Sequence, residues 1–432
     1  MLPDATGPLQ AAADTTPAVM RNHPVLFDSF AVQAQLLARG FDIVAYPRQI
    51  VTVPAEGPQS PRMSFVHGVP EASTLAAVTY AQDKRMRRAL LQRAGLVVPP
   101  GAVFAYRDLE DAIGYARDLG FPLAIKEAVG ENFAEQIPGL TRMGRLKAAL
   151  RYMRRRLATK ENSASSAERS AYSLTMLLEA VEDEDTGEKL AAGGTEILIE
   201  REPEGSYLRF VVVAGRVEAI TLFPGGPRSV ASDQARAEKP PKPVVIATGK
   251  SRAAAKAGGP ATVNRAYADL ALQAVAAIPG LAAASVDMVI ASRQRQPGPD
   301  NHAIVELSER LRLDMLAQAD PALARRVAQR VMQLELQRTG RPRPPRQSRL
   351  RADLRLESVP AAPRFLPVLE AAAADLDLRL RATISDAAAG EVTARLRGTP
   401  EAVAELTEAA MAGQIDGQFP RLAELRQRTM VR

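Results

Sequence analysis

Apolar residues recur along this chain at two spacings, and the switches between them mark its elements. SFAVQAQLLARG repeats at the helical period and stops at Gly40, and FDIVAY follows as a short strand, so residues 20–82 read as a small α/β lobe. AQDKRMRRALLQRAGLVVPPGAVF predicts a helix capped by Asp83, with Met86, Ala89, Leu90 and Ala94 as its apolar stripe and Gly95 as its stop. Pro99 and Pro100 lead from it into a strand. RDLEDAIGYARDLG predicts a second helix, from about Leu109 to Gly120, and FPLAIKEAVG places a strand directly after it. Residues 142–190 read as helical and charged, with a polar break at KENSASSAE. TEILIE, YLRFVVV, RVEAITLF, AASVDMVIAS and HAIVELSE then read as strands, the second and third joined by a hairpin at Ala214–Gly215.

The remaining segments are set apart by composition. Residues 231–260, rich in Lys, Ala, Gly and Pro, read as an exposed insert. Asp320–Pro321 opens a helix running through Leu336, with cap and first-turn proline in their favoured places. Residues 336–362 are dense in arginine and proline and predict a solvated linker. From 363 to 432, the strands LDLRLRATI and GEVTARLRG and a helix begun by Thr399–Pro400 predict a small α+β, ferredoxin-like unit. The class is therefore α+β. Residues 1–19 read as a disordered tail rather than a signal peptide.

Composition narrows the chemistry. The 432 residues have room for roughly two to four domains. No run of 18 apolar residues occurs, so no membrane span is predicted. With no cysteine there can be no disulfide, thiolate metal site or Cys nucleophile, and a reducing cytoplasm is the expected location. His23, His67 and His302 are far apart, which leaves metal chemistry to carboxylates and so to magnesium. The net charge of +7 suits anionic partners. The arginines of the linker lack interleaved aromatics, which argues against nucleic acid as the partner.

Lys126 is the first residue that asks for chemistry. It ends an apolar strand, where it either snorkels out of the sheet edge or points into a cleft at an anion. Four further segments bear on the choice: QDKRMRRALLQRAGLVVPPG, GTEILIEREPEGSYLRFVVVAGRV, SVDMVIAS and IVELSERLRLD. Together with FPLAIKEAVGEN, and in this order, they resemble the ATP-grasp superfamily over 83–335, nearest to carboxylate–amine ligases of the cyanophycin-synthetase and glutathione-synthetase kind.

That resemblance implies an ATP-grasp fold, two α/β lobes clasping a nucleotide, and assigns roles. Lys84 and Lys126 would contact the phosphates, beneath a loop containing Gly130 and Asn132. Glu200, Arg201 and Glu202 would form the adenine hinge, and Tyr207 stands near a ribose-binding position. Arg209 would lie over the triphosphate or an acyl phosphate, sharing the catalytic role with Lys126. Asp287, Glu306 and Ser308 would hold magnesium. The implied activity is an ATP- and Mg2+-dependent carboxylate–amine ligase working through an acyl phosphate on small acid and amine substrates, amino acids or peptides, with a homo-oligomer left open. Departures keep an alternative in view, a degenerate ATP-grasp protein that binds nucleotide or serves as a scaffold. Glu127 stands where proline is usual, Ala134 and Gln136 where glycines are, and Ser308 where asparagine is.

Overall fold

Strands apolar on one side only and strands apolar on both sides occupy different places in this protein. A computed structural model describes residues 24–55, 57, 61–105, 109–129, 136–162, 181–182, 189–190, 196–224, 242–248 and 262–428. Ser206–Val213 and Ala283–Ile290, continuous apolar runs, are buried along almost their whole length. They sit side by side in a five-stranded antiparallel sheet, between Arg216–Phe223, extended by Val244–Val245, on one side and His302–Ser308 on the other. Helix Arg265–Ala276 covers one face, and Val211, Val213, Ala219 and Ala283 pack on the other side into the core shared with helix Pro321–Thr339. Such burial on both faces is what a run without polar alternation requires.

A second, four-stranded antiparallel sheet runs in the order Gly101–Ala105, Glu196–Arg201, Leu123–Glu127, Gln136–Leu140. Its apolar cluster includes Ala112 and Ala116 of helix Leu109–Leu119 and Leu146, Leu150 and Met153 of helix Met143–Asn162. These two sheets and their helices give the middle of the chain its α+β character. Most of the expected insert at 231–260, and the expected tail, lie outside the described residues.

The third sheet corrects the expected organisation. Leu350–Glu357, inside the stretch read as a solvated linker, is a central strand whose buried positions Leu350, Ala352, Leu354 and Leu356 alternate with more exposed charges. With helix Ala362–Asp375, strands Arg379–Asp386 and Glu391–Gly398, helix Pro400–Met411 and strand Leu422–Gln427, it completes a βαββαβ unit, the ferredoxin-like order of elements. That unit therefore begins at about 350, not 363. The rest of the linker is docked rather than free: Gln347 N–H donates to the Ala38 carbonyl at 2.7 Å, and Arg39 reaches the Pro344 carbonyl at 2.7 Å. The sheet does not end at Leu422–Gln427. Ile43–Tyr46 pairs with it, Ile43 opposite Leu425, and Ile50–Val53, Met63–Val66 and Val69–Pro70 continue the layer to eight strands. Both ends of the chain thus build one sheet.

Helix Phe27–Ala38 is buried at all its positions because helices Pro321–Thr339 and Pro400–Met411 both pack on it. Its polar residues need partners in that interior. Ser29 Oγ donates to Glu408 Oε1 at 2.5 Å, and Gln33 donates to the same oxygen. Burial pushes the Glu408 carboxyl up to about 7, against the two hydrogen bonds, which lower it. The group is a carboxylic acid whose folded pKa lies above the ordinary 4.5, so its contribution is fully present below about pH 4.5 and is lost as pH rises through 7. The loss amounts to roughly 3 kcal/mol. Urea unfolding between pH 4.5 and 8 should show stability falling along this term, and Glu408→Gln should remove that slope and be the more stable protein at pH 8. An unchanged slope in the variant would assign the pH dependence to other groups.

Candidate active site

Helix Lys84–Arg93 is anchored at its start by two neighbours. Asp83 accepts the Arg85 N–H at 2.8 Å as a cap, and Lys84 N–H donates to the Ala128 carbonyl at 2.8 Å, beyond the end of the Lys126 strand. The face it buries is not the apolar stripe expected from periodicity. Met86 is 42% exposed, and Ala89 and Ala94 are exposed as well. Lys84, Arg87 and Leu91 are buried instead, with Arg88 beside them. Lys84, Arg87 and Arg88 stand at i, i+3 and i+4, so one helix face carries three cations into the protein.

Carboxylates meet them there. Arg87 Nη1 pairs with Glu306 Oε1 at 2.5 Å and also donates to the carbonyls of Ala81 (2.9 Å) and Leu307 (2.6 Å). Arg88 Nη1 lies 3.0 Å from Glu200 Oε2, and its Nη2 donates to the Pro99 carbonyl at 2.6 Å. Lys126 Nζ takes the other oxygen of Glu200, at 2.6 Å, and donates to the Val305 carbonyl at 2.9 Å. The lysine strand is thereby tied both to its neighbour in the four-stranded sheet and to the last strand of the five-stranded one. Of the two readings open in the sequence, the inward one holds: Lys126 is buried.

The acids of the later strands converge on the same place. Arg209, Asp287 and Glu306 stand opposite one another on three adjacent strands. Arg209 grips Asp287 with a two-pronged pair, Nε to Oδ1 and Nη2 to Oδ2, each 2.7 Å, and its guanidinium carbon lies 5.6 Å from the Phe223 ring centre. Tyr207 adds a third hydrogen bond, its hydroxyl 2.5 Å from Asp287 Oδ2. Burial works to raise the Glu306 carboxyl, but Arg87, Lys84 and Lys126 together outweigh it and hold the group below its usual range. Lys84 and Lys126, from separate strand–helix units, therefore act on one carboxylate. Burial, and then the Asp287 charge, push the Tyr207 phenol well up; burial opposes the charge on Arg209, but Asp287 more than restores it.

Other expected residues are engaged elsewhere. Tyr207 is buried edge-on against Phe223 with its hydroxyl spent on Asp287, so it is not placed as a ribose contact. Arg201 is exposed and donates to the Leu119 carbonyl at 2.8 Å, while its N–H and that of Glu202 are taken by Pro100 and Pro122. Glu202 accepts the Gly139 N–H at 2.6 Å, and burial raises its carboxyl. Gly130 and Asn132 lie outside the described residues. Arg87 and Arg88 were not among the expected site residues, although their spacing from Lys84 was the signal for them.

Magnesium requires oxygen ligands with open lone pairs. Asp287 has given both oxygens to Arg209 and Tyr207, Glu306 is paired with Arg87, and Ser308 Oγ accepts the Arg310 N–H at 3.1 Å. No group of three His, Asp or Glu side chains that could hold a metal occurs among the described residues. The expected ligand set of Asp287, Glu306 and Ser308 therefore does not fit the ion, because guanidinium groups occupy the acids. Between Arg87, Arg88, Glu200 and Glu306 there remains a cavity of about 10 Å³, room for one water.

No protein-family model and no curated protein matches this chain. Among solved structures it is similar to the bifunctional glutathione synthetase from Pasteurella multocida, at a TM-score of 0.35 and 16% identity, over 67% of this chain and 41% of that one. It is also similar to D-alanine–D-alanine ligase from Bacillus anthracis, at 0.38 and 11%, over 62% and 71% of the two chains. A third likeness is to the ATP-grasp ligase PsnB with its minimal precursor, at 0.34 and 13%, over 61% and 63%. The chain spans less than half of the glutathione synthetase. At such scores these likenesses assign no residue a role.

The Arg209–Asp287 pair is almost fully buried, so removing one partner strands the other. Arg209→Met should cost about 3–5 kcal/mol in urea unfolding. Arg209→Met combined with Asp287→Leu should recover most of that loss. Additive costs in the double variant would show that the two side chains are not coupled as described.

Proposed function

We propose that this chain is an ATP-dependent carboxylate–amine ligase of the ATP-grasp kind. The observation that carries the reading is the convergence of Lys84 and Lys126 on Glu306, which brings Lys84, Arg87, Arg88, Lys126 and Arg209 around the carboxylates Glu200, Asp287 and Glu306. These cations and carboxylates share an interior where charge acts strongly on an entering polyphosphate. The five segments of sequence resembling ATP-grasp ligases supply these residues in the family's order.

In this reading the γ-phosphoryl group passes from ATP to a substrate carboxylate, giving ADP and an acyl phosphate, and an amine then displaces phosphate to form the amide. The protein's share is positioning and charge neutralisation. Lys126 and Arg88, now held by Glu200, exchange that carboxylate for phosphate oxygens as the nucleotide enters, since the cavity bounded by Arg87, Arg88, Glu200 and Glu306 has room for a water only. Arg209, its fork held by Asp287, contributes its positive charge toward the developing phosphate charge. Neutralisation is assigned to side chains here, because Asp287, Glu306 and Ser308 do not fit magnesium. Acid and amine of small size, amino acids or peptides, are the substrates this chemistry implies.

A second reading, nucleotide binding without turnover, is favoured by one feature: Asp287 is sealed by Arg209 and Tyr207. The two part in one experiment. Purified protein with ATP, magnesium and a panel of amino acids and acidic peptides should release ADP, and Lys126→Met should slow that release by about a hundredfold. A thermal shift with ATP but no ADP across the panel would leave the binding reading standing. Neither shift nor ADP would remove both.

A further inference from the structure

Arginine faces arginine at one end of the eight-stranded sheet. Arg379, Arg397 and Arg351 stand directly opposite one another on three adjacent strands, and Arg381 stands opposite Arg395 in the neighbouring row. All five are exposed on the outward face, and none has an ion-pair partner among the described residues. Asp353, opposite Arg395, is taken by Arg428 at 2.6 Å. Like charges directly opposite destabilise a sheet. At the other end of the same face the chain avoids this: Arg355 is met by Glu357, Glu391 and Glu424. An open groove of about 490 Å³ lies against the arginine end, with Glu370 as its one carboxylate, apolar side chains such as Leu378 and Leu380 in its lining, and no aromatic.

Strand Arg379–Asp386 is also the edge of the sheet. It pairs with Glu391–Gly398 on one side and with no other described strand on the other. Its outer N–H and C=O groups suit an added strand, and residues two apart in such a strand would point to the face that carries Arg379 and Arg381. Nucleic acid could use the charges but neither the strand edge nor, without aromatics, a stacking platform. We propose that this end of the sheet binds an acidic peptide, in extended form, with carboxylates at alternate positions. The site is separate from the ligase cleft and does not rest on that reading.

The test is fluorescence anisotropy with the full chain and a labelled peptide alternating glutamate with threonine. The peptide should bind with an affinity that falls as salt rises. Arg379→Glu with Arg397→Glu should weaken it by about a hundredfold, and methylation of alternate peptide nitrogens by about tenfold. Both arginines are exposed, and a melting curve of the variant confirms its fold; Arg395→Ala, which relieves repulsion, serves as a second variant and should weaken binding by about tenfold. Oligothymidylate or inorganic polyphosphate binding as tightly as the peptide would overturn the proposal. So would equal binding of a peptide with its glutamates in one block, unaltered binding by the variants, or no saturable binding.

Discussion

A charge taken out of water must meet its opposite, and the middle of this protein is arranged around that requirement. Glu200 is the node. One oxygen holds Lys126 of the adjoining strand and the other holds Arg88 of the helix, while Lys126 reaches on to the Val305 carbonyl of the other sheet. The two sheets and the helix between them are located by these contacts as much as by apolar packing. A helix whose buried face reads Lys84, Arg87, Leu91 has little hydrophobic reason to dock, and its position follows from the acids waiting for it. In the ligase reading, stability and ligand binding would draw on the same atoms, and an entering phosphate would replace a carboxylate already in place.

Much of the fold was legible because its signals are local. Ala214 and Gly215 both take positive φ, +50° and +69°, as a two-residue hairpin demands, and the dipeptide between two β-rich runs announced it. Asp320 caps the Leu323 N–H ahead of Pro321, and Thr399 caps Ala402 ahead of Pro400. What escaped was either long-range or masked by charge. Nothing near Ile43 says that it will lie opposite Leu425, because a pairing across the whole chain leaves no local mark. The strand Leu350–Glu357 did carry its alternation in plain view, but the surrounding arginines and prolines suggested solvent.

The site was legible in its members and less so in their partners. Lys126, Lys84, Arg209, Asp287 and Glu306 do come together, and Glu200 joins them. A periodicity rule that sends lysine and arginine outward mistook Met86 and Ala89 for the buried stripe and so passed over Arg87 and Arg88. The expected magnesium ligands have partners that were missed for a related reason. The acids stand out in the sequence, but only the cross-strand register sets Arg209 beside Asp287, and only the docked helix sets Arg87 on Glu306.

The surplus positive charge of the chain is not spread evenly, and its placement separates structure from binding. Several arginines that serve the fold have carboxylate partners: Arg209 with Asp287, Arg87 with Glu306, and Arg355 among three glutamates. Where they do not, as in the row Arg351, Arg397, Arg379, the sheet tolerates repulsion that threonine or glutamate at any of those positions would relieve. The sheet's other end shows that this chain can put acids opposite arginine on the same strands. An unrelieved row is then a cost to the free protein, and a bound anion is what would offset it.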